Sequence, residues 1–295
     1  MSRDFEDDPY LDEAEWGEYP RDPEIDVAKA ILTKLFDENR GEVFYEQQLK
    51  CLLEPKPHSV FQWITSKAAA ELWQSGAVKS EVVQYKSGNR AETIRFFWHN
   101  KNRYPQRRKR HIMRLVGAFS HPDFGRALGL QGELMVDNAL MGAGFQIRAA
   151  ECNEWAGKKW TESGENLDRI YERDGILYGA EIKNTLKYIG RPELASKIRM
   201  SKFFGIRPLF VARSLPKHYV NIIRESGGFG WILGKQYYPF GQDALADEVR
   251  QTLGLEVGCY KAVDSGRVKS FVDWHEWSRS REFDENSRRW FLKSP

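Results

Sequence analysis

Apolar residues recur at helical spacing in IDVAKAILTKLFDENRG (25–41), where Ile31, Leu32 and Leu35 share a face and Gly41 marks the end. FYEQQLKCLLE predicts a second, short helix, and HSVFQWITSKAAAELWQSG (58–76) a third that stops at Gly76. The pattern then changes. AVKSEVVQYK and AETIRFFWH are strand-like runs joined by the turn signal Ser87-Gly88-Asn89-Arg90. Farther along, RALGLQGELMVDNALMGAGF predicts an amphipathic helix and FQIRAAE a strand. NLDRIYER and ILYGAEIKNT are strands flanking Asp174-Gly175. A helix (RPELASKIRMSKFFG), a strand (RPLFVAR), a helix (PKHYVNIIRESGG) and a strand (FGWILG) follow. This order predicts an α/β (α+β) fold with a mixed β-sheet. DALADEVRQTLG adds a helix, and the pattern leaves the tail with Trp274, Trp277 and Trp290 unplaced.

The expected divisions are an acidic tail (1–25), a small helix-and-hairpin domain (26–100), a basic linker (101–125), a larger α/β domain (126–240) and a C-terminal extension (241–295). Three helices followed by a hairpin resemble a winged helix-turn-helix. That resemblance implies a recognition helix near Gln62, Ser66 and Lys67, and a wing from Lys86 to Arg90. Winged helices also serve as protein-interaction modules.

Charge sharpens the picture. Residues 1–26 carry 11 acids against 2 bases, which leaves the other 269 residues with an excess of 12 positive charges. A basic body with an acidic tail is a layout found in nucleic-acid binders. The tail reads as solvated, or docked through Tyr10, Trp16 and Tyr19, or as a mimic of nucleic acid. KNRYPQRRKRHIMR (101–114) has seven Lys/Arg and no acid, so Arg107, Arg108, Lys109 and Arg110 are candidate contacts to backbone phosphates. A nuclear-localisation signal is a second reading. Lys158 and Lys159, beside Trp155 and Trp160, are candidates for gripping phosphate or stacking on bases.

Composition excludes other classes. With 41% hydrophobic and 29% charged residues the chain can bury a core. No apolar run approaches the roughly 18 residues of a membrane span, and no secretory h-region is visible. Cys51, Cys152 and Cys259 are isolated, which excludes a disulfide scaffold or a C-x-x-C site. The expected location is cytoplasmic, in a cell or a virus-infected cell. The six histidines lack H-E-x-x-H spacing, no G-x-S-x-G occurs, and Gly230 to Gln236 is not a phosphate loop.

The segment with chemistry is Asn166 to Lys183. A two-residue loop at Asp174-Gly175 pairs positions that sum to 349, and so sets Asp168 opposite Glu181. Directly opposite side chains lie roughly 4.5–5.5 Å apart at Cβ, where like charges repel. Lys183 emerges on the same face, about 6–7 Å along. Two carboxylates and an ammonium so placed call for a hard cation, Mg²⁺ or Mn²⁺. Glu133, in the preceding helix, shares a face with Leu130, Val136 and Leu140, where an acid must point at something polar or else lie at the helix surface.

At these residues the chain resembles the PD-(D/E)xK nuclease superfamily, whose fold is restriction-endonuclease-like. Asp168 matches the family Asp, Glu181-Ile182-Lys183 matches E-x-K, Leu167 stands at the variable proline, and Glu133 matches an upstream helix acid. The spacing looks most like archaeal Holliday-junction resolvases, and the domain order like Mrr-type restriction enzymes. The resemblance implies metal-dependent DNA endonuclease activity. Asp168, Glu181, the Ile182 carbonyl and Glu133 would be metal ligands, with Lys183 beside the attacking water. It covers residues 126–235, and substrate does not carry over. Double-strand cutting usually needs two active sites, so a homodimer is expected beside DNA as partner. The alternatives are a winged-helix DNA-binding regulator with an inactive nuclease-like domain, a salt-bridged hairpin without catalysis, and an RNA-processing nuclease.

Overall fold

In the computed structural model, residues 21–88, 90–284 and 286–292 are described, without the side chains of residues 87, 90 and 292. The tail reading falls largely on residues 1–20, which lie outside the described residues. The chain divides into one unit of residues 1–125 with 244–255, and another of 126–243 with 256–295.

In the first unit, helix α1 (Glu24–Glu38) buries Ile25, Ala28, Leu32 and Phe36, a stripe at helical spacing. Strand β1 (Val43–Tyr45) occupies the start of the run expected to be wholly helical, and α2 (Glu46–Leu53) follows. Helix α3 (Gln62–Gln74) buries Ile64, Ala68 and Leu72. Strands β2 (Val78–Ser87) and β3 (Arg90–His99) pair from Val78↔His99 to Ser87↔Arg90. Strand β1 adds to the other side of β3. Leu32, Phe36, Leu49, Ile64 and Phe97 form the core.

The expected basic linker is largely a helix of this unit. Helix α4 (Gln106–Phe119) buries Lys109, Ile112, Val116 and Phe119, one stripe of an amphipathic helix. The bases between these positions conceal that stripe in the sequence.

The second unit begins within α5 (Pro122–Gly142) and continues with β4 (Gln146–Cys152) and the small hairpin β5 (Glu154–Trp155) and β6 (Lys158–Lys159). Then come β7 (Leu167–Arg173), β8 (Ile176–Lys183), α6 (Arg191–Phe204), β9 (Arg207–Ala212), α7 (Lys217–Arg224), β10 (Phe229–Ile232) and β11 (Gln236–Tyr237). Helix α8 (Asp243–Leu253) returns to the first unit, where the Leu253 carbonyl accepts from Gln48. Strand β12 (Val257–Gly258), helix α9 (Ser265–Arg279) and the hairpin β13 (Arg281–Asp284) and β14 (Arg289–Leu292) complete the chain.

The main sheet has the order β10-β9-β8-β7-β4, antiparallel across β4, β7 and β8 and parallel across β8, β9 and β10. The fold is therefore mixed α/β. One sheet face (Tyr171, Tyr178, Ala180, Ile182) packs with Met135, Val136 and Leu140 of α5 and Phe271 of α9. Met200 and Phe204 of α6 pack with Ile170 in a second cluster. Gly179 is required on the α6 side, since a Cβ there would lie 2.8 Å from Ile206 and from Leu167. The C-terminal segment is thus no extension: Phe271 is fully buried and stacks on Phe145 at 5.2 Å. No described helix is long and apolar enough to cross a membrane.

Candidate active site

Asp174 and Gly175 both take positive φ, 54° and 75°, the backbone of a two-residue primed turn. The β7–β8 register then runs from Arg173↔Ile176 to Arg169↔Ala180. Every pair sums to 349, as the turn predicts. Asp168 and Glu181 stand one step beyond the last paired rung. There the Asp168 side chain takes over from the backbone: its Oδ2 accepts the Ile182 N–H at 2.6 Å.

Glu181 is 2% exposed although it carries a carboxylate. Its Oε1 receives Lys183 Nζ at 2.8 Å, and Lys183 also meets Glu193 Oε1 of α6 at 2.7 Å. The ammonium of Lys197, also on α6, lies against Glu181 Oε2 and donates to the Asn166 carbonyl. The Lys197 contact with Oε2 is an ion pair. Across the strand, Arg169 donates to Glu133 Oε2 at 2.8 Å and Asp137 Oδ2 at 3.2 Å, and Tyr171 OH donates to Asp137 Oδ1 at 2.5 Å.

Burial, then the charge of Asp168, pushes the Glu181 carboxyl up to about 7 despite both lysines. Asp168 is raised by burial, which the Ile182 amide only partly offsets. Burial works against the Lys183 ammonium, but Glu181 and Glu193 outweigh it and hold it above the usual lysine range. Glu133 is raised by burial in spite of Arg169, with the Asp168 charge adding to the shift. The carboxylates here are poorly compensated and the lysine is firmly charged.

Asp168, Glu181 and Glu193 thus gather around Lys183 and Lys197 on the α6 side of the sheet, and Glu133 and Asp137 around Arg169 on the α5 side. Two formal negative charges remain. The donor set is hard oxygen, and the Glu181 carboxylate is buried. These properties fit a hard divalent cation held by Asp168, Glu181 and the Ile182 carbonyl. Glu133, expected among the ligands, is instead held by Arg169. Its expected neighbour Leu130 is 60% exposed, because the inward stripe of α5 runs through Leu128, Gln131, Met135 and Val136.

One other group is tighter. Among the described residues, ligand atoms of Asp174, His275 and Glu276 lie within 4.8 Å of one another. Arg173 and Arg279 engage both carboxylates, and Tyr178 OH meets His275 Nδ1 at 2.7 Å. These partners already satisfy the group.

The expected nucleic-acid contacts divide. Gln62 and Ser66 turn inward, to Glu54 and Glu46 at 2.8 Å each, because they flank the buried stripe of α3. Lys67 is half-buried and Lys86 is exposed, while the Arg90 side chain lies outside the described residues. Lys109 is buried and bonded to Glu81, since it falls on the inner stripe of α4, and Arg108 pairs with Glu42 at 2.8 Å. Arg107 and Arg110 are exposed. In the second unit Lys159 is exposed, and Lys158 donates to the Phe203 carbonyl at 3.0 Å. Trp160 is buried, its Nε1 donating to Ser163, so it offers no stacking face.

Sequence reading missed Asp137, Arg169, Glu193 and Lys197. One signal was present: Glu133–Asp137 and Glu193–Lys197 are both i, i+4 pairs on helices flanking the motif strands. Set against known proteins, the chain matches no family model, no curated protein and no solved structure.

Proposed function

We propose that the protein is a metal-dependent DNA endonuclease that hydrolyses phosphodiester bonds. The observation that carries this reading is the placement of Asp168 and Glu181 one step beyond the last β7–β8 rung, with Asp168 on the Ile182 amide and Lys183 on Glu181. Asp168, Glu181 and the Ile182 carbonyl would hold Mg²⁺ or Mn²⁺. A cation there supplies an acidified water and offsets charge on the phosphoryl oxygens. Lys183 stays protonated, so it stabilises developing negative charge rather than abstracting a proton. Arg169 fixes Glu133 at the rim of the site. In the first unit, the order α1-β1-α2-α3-β2-β3 supports a winged-helix reading, with exposed Lys86, Arg107 and Arg110 available to phosphates.

A second reading has a specific observation in its favour. Glu181 is already engaged by two lysines, as in a purely structural ion cluster, and this favours a DNA-binding regulator with an inactive nuclease-like unit. Labelled duplex, single-stranded and junction DNA, with an RNA control, separate the two when incubated with Mg²⁺ or with EDTA. Cleavage confined to Mg²⁺, and lost in Asp168→Ala, Glu181→Ala and Lys183→Ala with DNA binding retained, is the expected outcome. Binding without cleavage in every condition would select the regulator.

A further inference from the structure

We propose that Lys197 is a positioning residue for the carboxylate pair: it ties the Glu181 side chain to the start of β7 where the backbone ladder has ended. The inference rests on the proposed metal-dependent reading of the same site. Paired residues stop at Arg169↔Ala180, so no β7–β8 rung fixes the spacing of Asp168 and Glu181. Two other links replace it. One is the Asp168 bond to the Ile182 amide. The other is Lys197, whose ammonium donates to the Asn166 carbonyl, two residues before Asp168, and lies against Glu181 Oε2.

Lys197 is unlike a surface base. It is 4% exposed and sits on α6 among Leu194, Ile198 and Met200, so its stem is packed and its head has little freedom. Burying an ammonium is costly unless its partners are well placed. Its ammonium bonds the Asn166 carbonyl and lies against Glu181 at the same time. The ammonium lies against Oε2, so it holds that carboxylate in place and reduces the repulsion between Asp168 and Glu181. Glu193, one helical turn earlier, anchors Lys183 in the same way. The two i, i+4 residues of α6 thus clamp Glu181 and Lys183.

The test uses the full chain with Lys197→Met and Lys197→Arg. Mn²⁺ affinity is read by calorimetry, single-turnover DNA cleavage in Mn²⁺, and DNA binding and melting in EDTA. Groups that hold metal ligands in place typically contribute about 10–100-fold in affinity or activity. Lys197→Met should lose that much in Mn²⁺ affinity and in cleavage, with DNA binding unchanged. Lys197→Arg should recover most of both. If the methionine variant does not melt cooperatively, Lys197→Gln, which keeps a donor for Asn166, takes its place with the same expectation. Unchanged Mn²⁺ affinity would overturn the proposal and leave Lys197 a packing ion pair. Tighter Mn²⁺ binding would overturn it by making Lys197 a competitor of the metal, and no Mn²⁺ binding by the wild type would overturn it as well. A wild type that binds Mn²⁺, loses it in Lys197→Met and cuts no nucleic acid would sustain the positioning role while removing the nuclease reading.

Discussion

The two ends of the β7–β8 hairpin both gather charge, and they handle it in opposite ways. At the turn, Asp174 and Glu276 face Arg173, Arg279 and His275, and both carboxylates are more than 40% exposed. Asp174 is held below its usual range, first by its His275 bond. At the open end, Glu181 is 2% exposed and its carboxyl is pushed up to about 7 with two lysines in contact. Number of partners therefore does not decide the outcome. Water does. The exposed cluster is solvated and Asp174 ionises easily, whereas the buried one retains negative charge that its own lysines do not relieve. Of the two clusters, the one with tighter ligand spacing is the more satisfied. The looser one has the chemical reason to take a cation.

The largest effect that can break this contrast is at Glu181. Its raised pKa means that the neutral form is favoured in the fold. The stability it contributes is present below about pH 4.5 and is lost as pH rises through about 7. Mn²⁺ needs the ionised form, so Mn²⁺ should stabilise the protein more at pH 8 than at pH 6. A tenfold gain in affinity corresponds to about 1.4 kcal/mol, read as a larger melting shift. Glu181→Gln should abolish the Mn²⁺-dependent shift at both pH values and remove cleavage. A shift that survives in Glu181→Gln would move the metal elsewhere, to the turn cluster first.

A smaller effect probes the scaffold alone. A Cβ at Gly132 would lie 2.6 Å from that of Asn184, which follows Lys183 and is bonded to Leu128 and Tyr237. Gly132→Ala should cost roughly 1–3 kcal/mol, as overpacking does. It should slow cleavage although no ionisable group changes. Thermal melting and single-turnover rates check both, and wild-type values for each would show that α5 and β8 do not constrain the site. The smallest effect is expected at the turn. Glu276→Ala removes exposed ion pairs worth at most about 1 kcal/mol, and Mn²⁺ affinity should not change. Weaker Mn²⁺ binding in that variant would reverse the ranking of the two ends.

Much of the second unit was legible in the sequence. Asp-Gly between two strand-like runs set the register, because a primed two-residue turn leaves one pairing and strand side chains alternate with a period of two. The strands β4, β7, β8, β9 and β10 fall within a residue or two of where alternation and glycines put them. Less was legible where polar residues hide an apolar stripe. Lys109 belongs to the buried side of α4, and Gln62 to that of α3, although their residue types suggest water. The aromatic tail had no period to read, and only Phe145, Trp231 and Phe271 stacked together reveal it as core.

The sequence by itself determined which carboxylates come together at the open end of the hairpin and which lysine stands beside them, because those relations depend on local turn geometry alone. Only the tertiary structure decided that Lys197 and Glu193 reach the same point, that Arg169 claims Glu133, and that residues 244–255 belong with the first unit. The physical reason is range. A turn and a strand period are enforced by neighbouring residues, but a helix approaches a strand, and a side chain loses its water, only when the whole hydrophobic core is assembled.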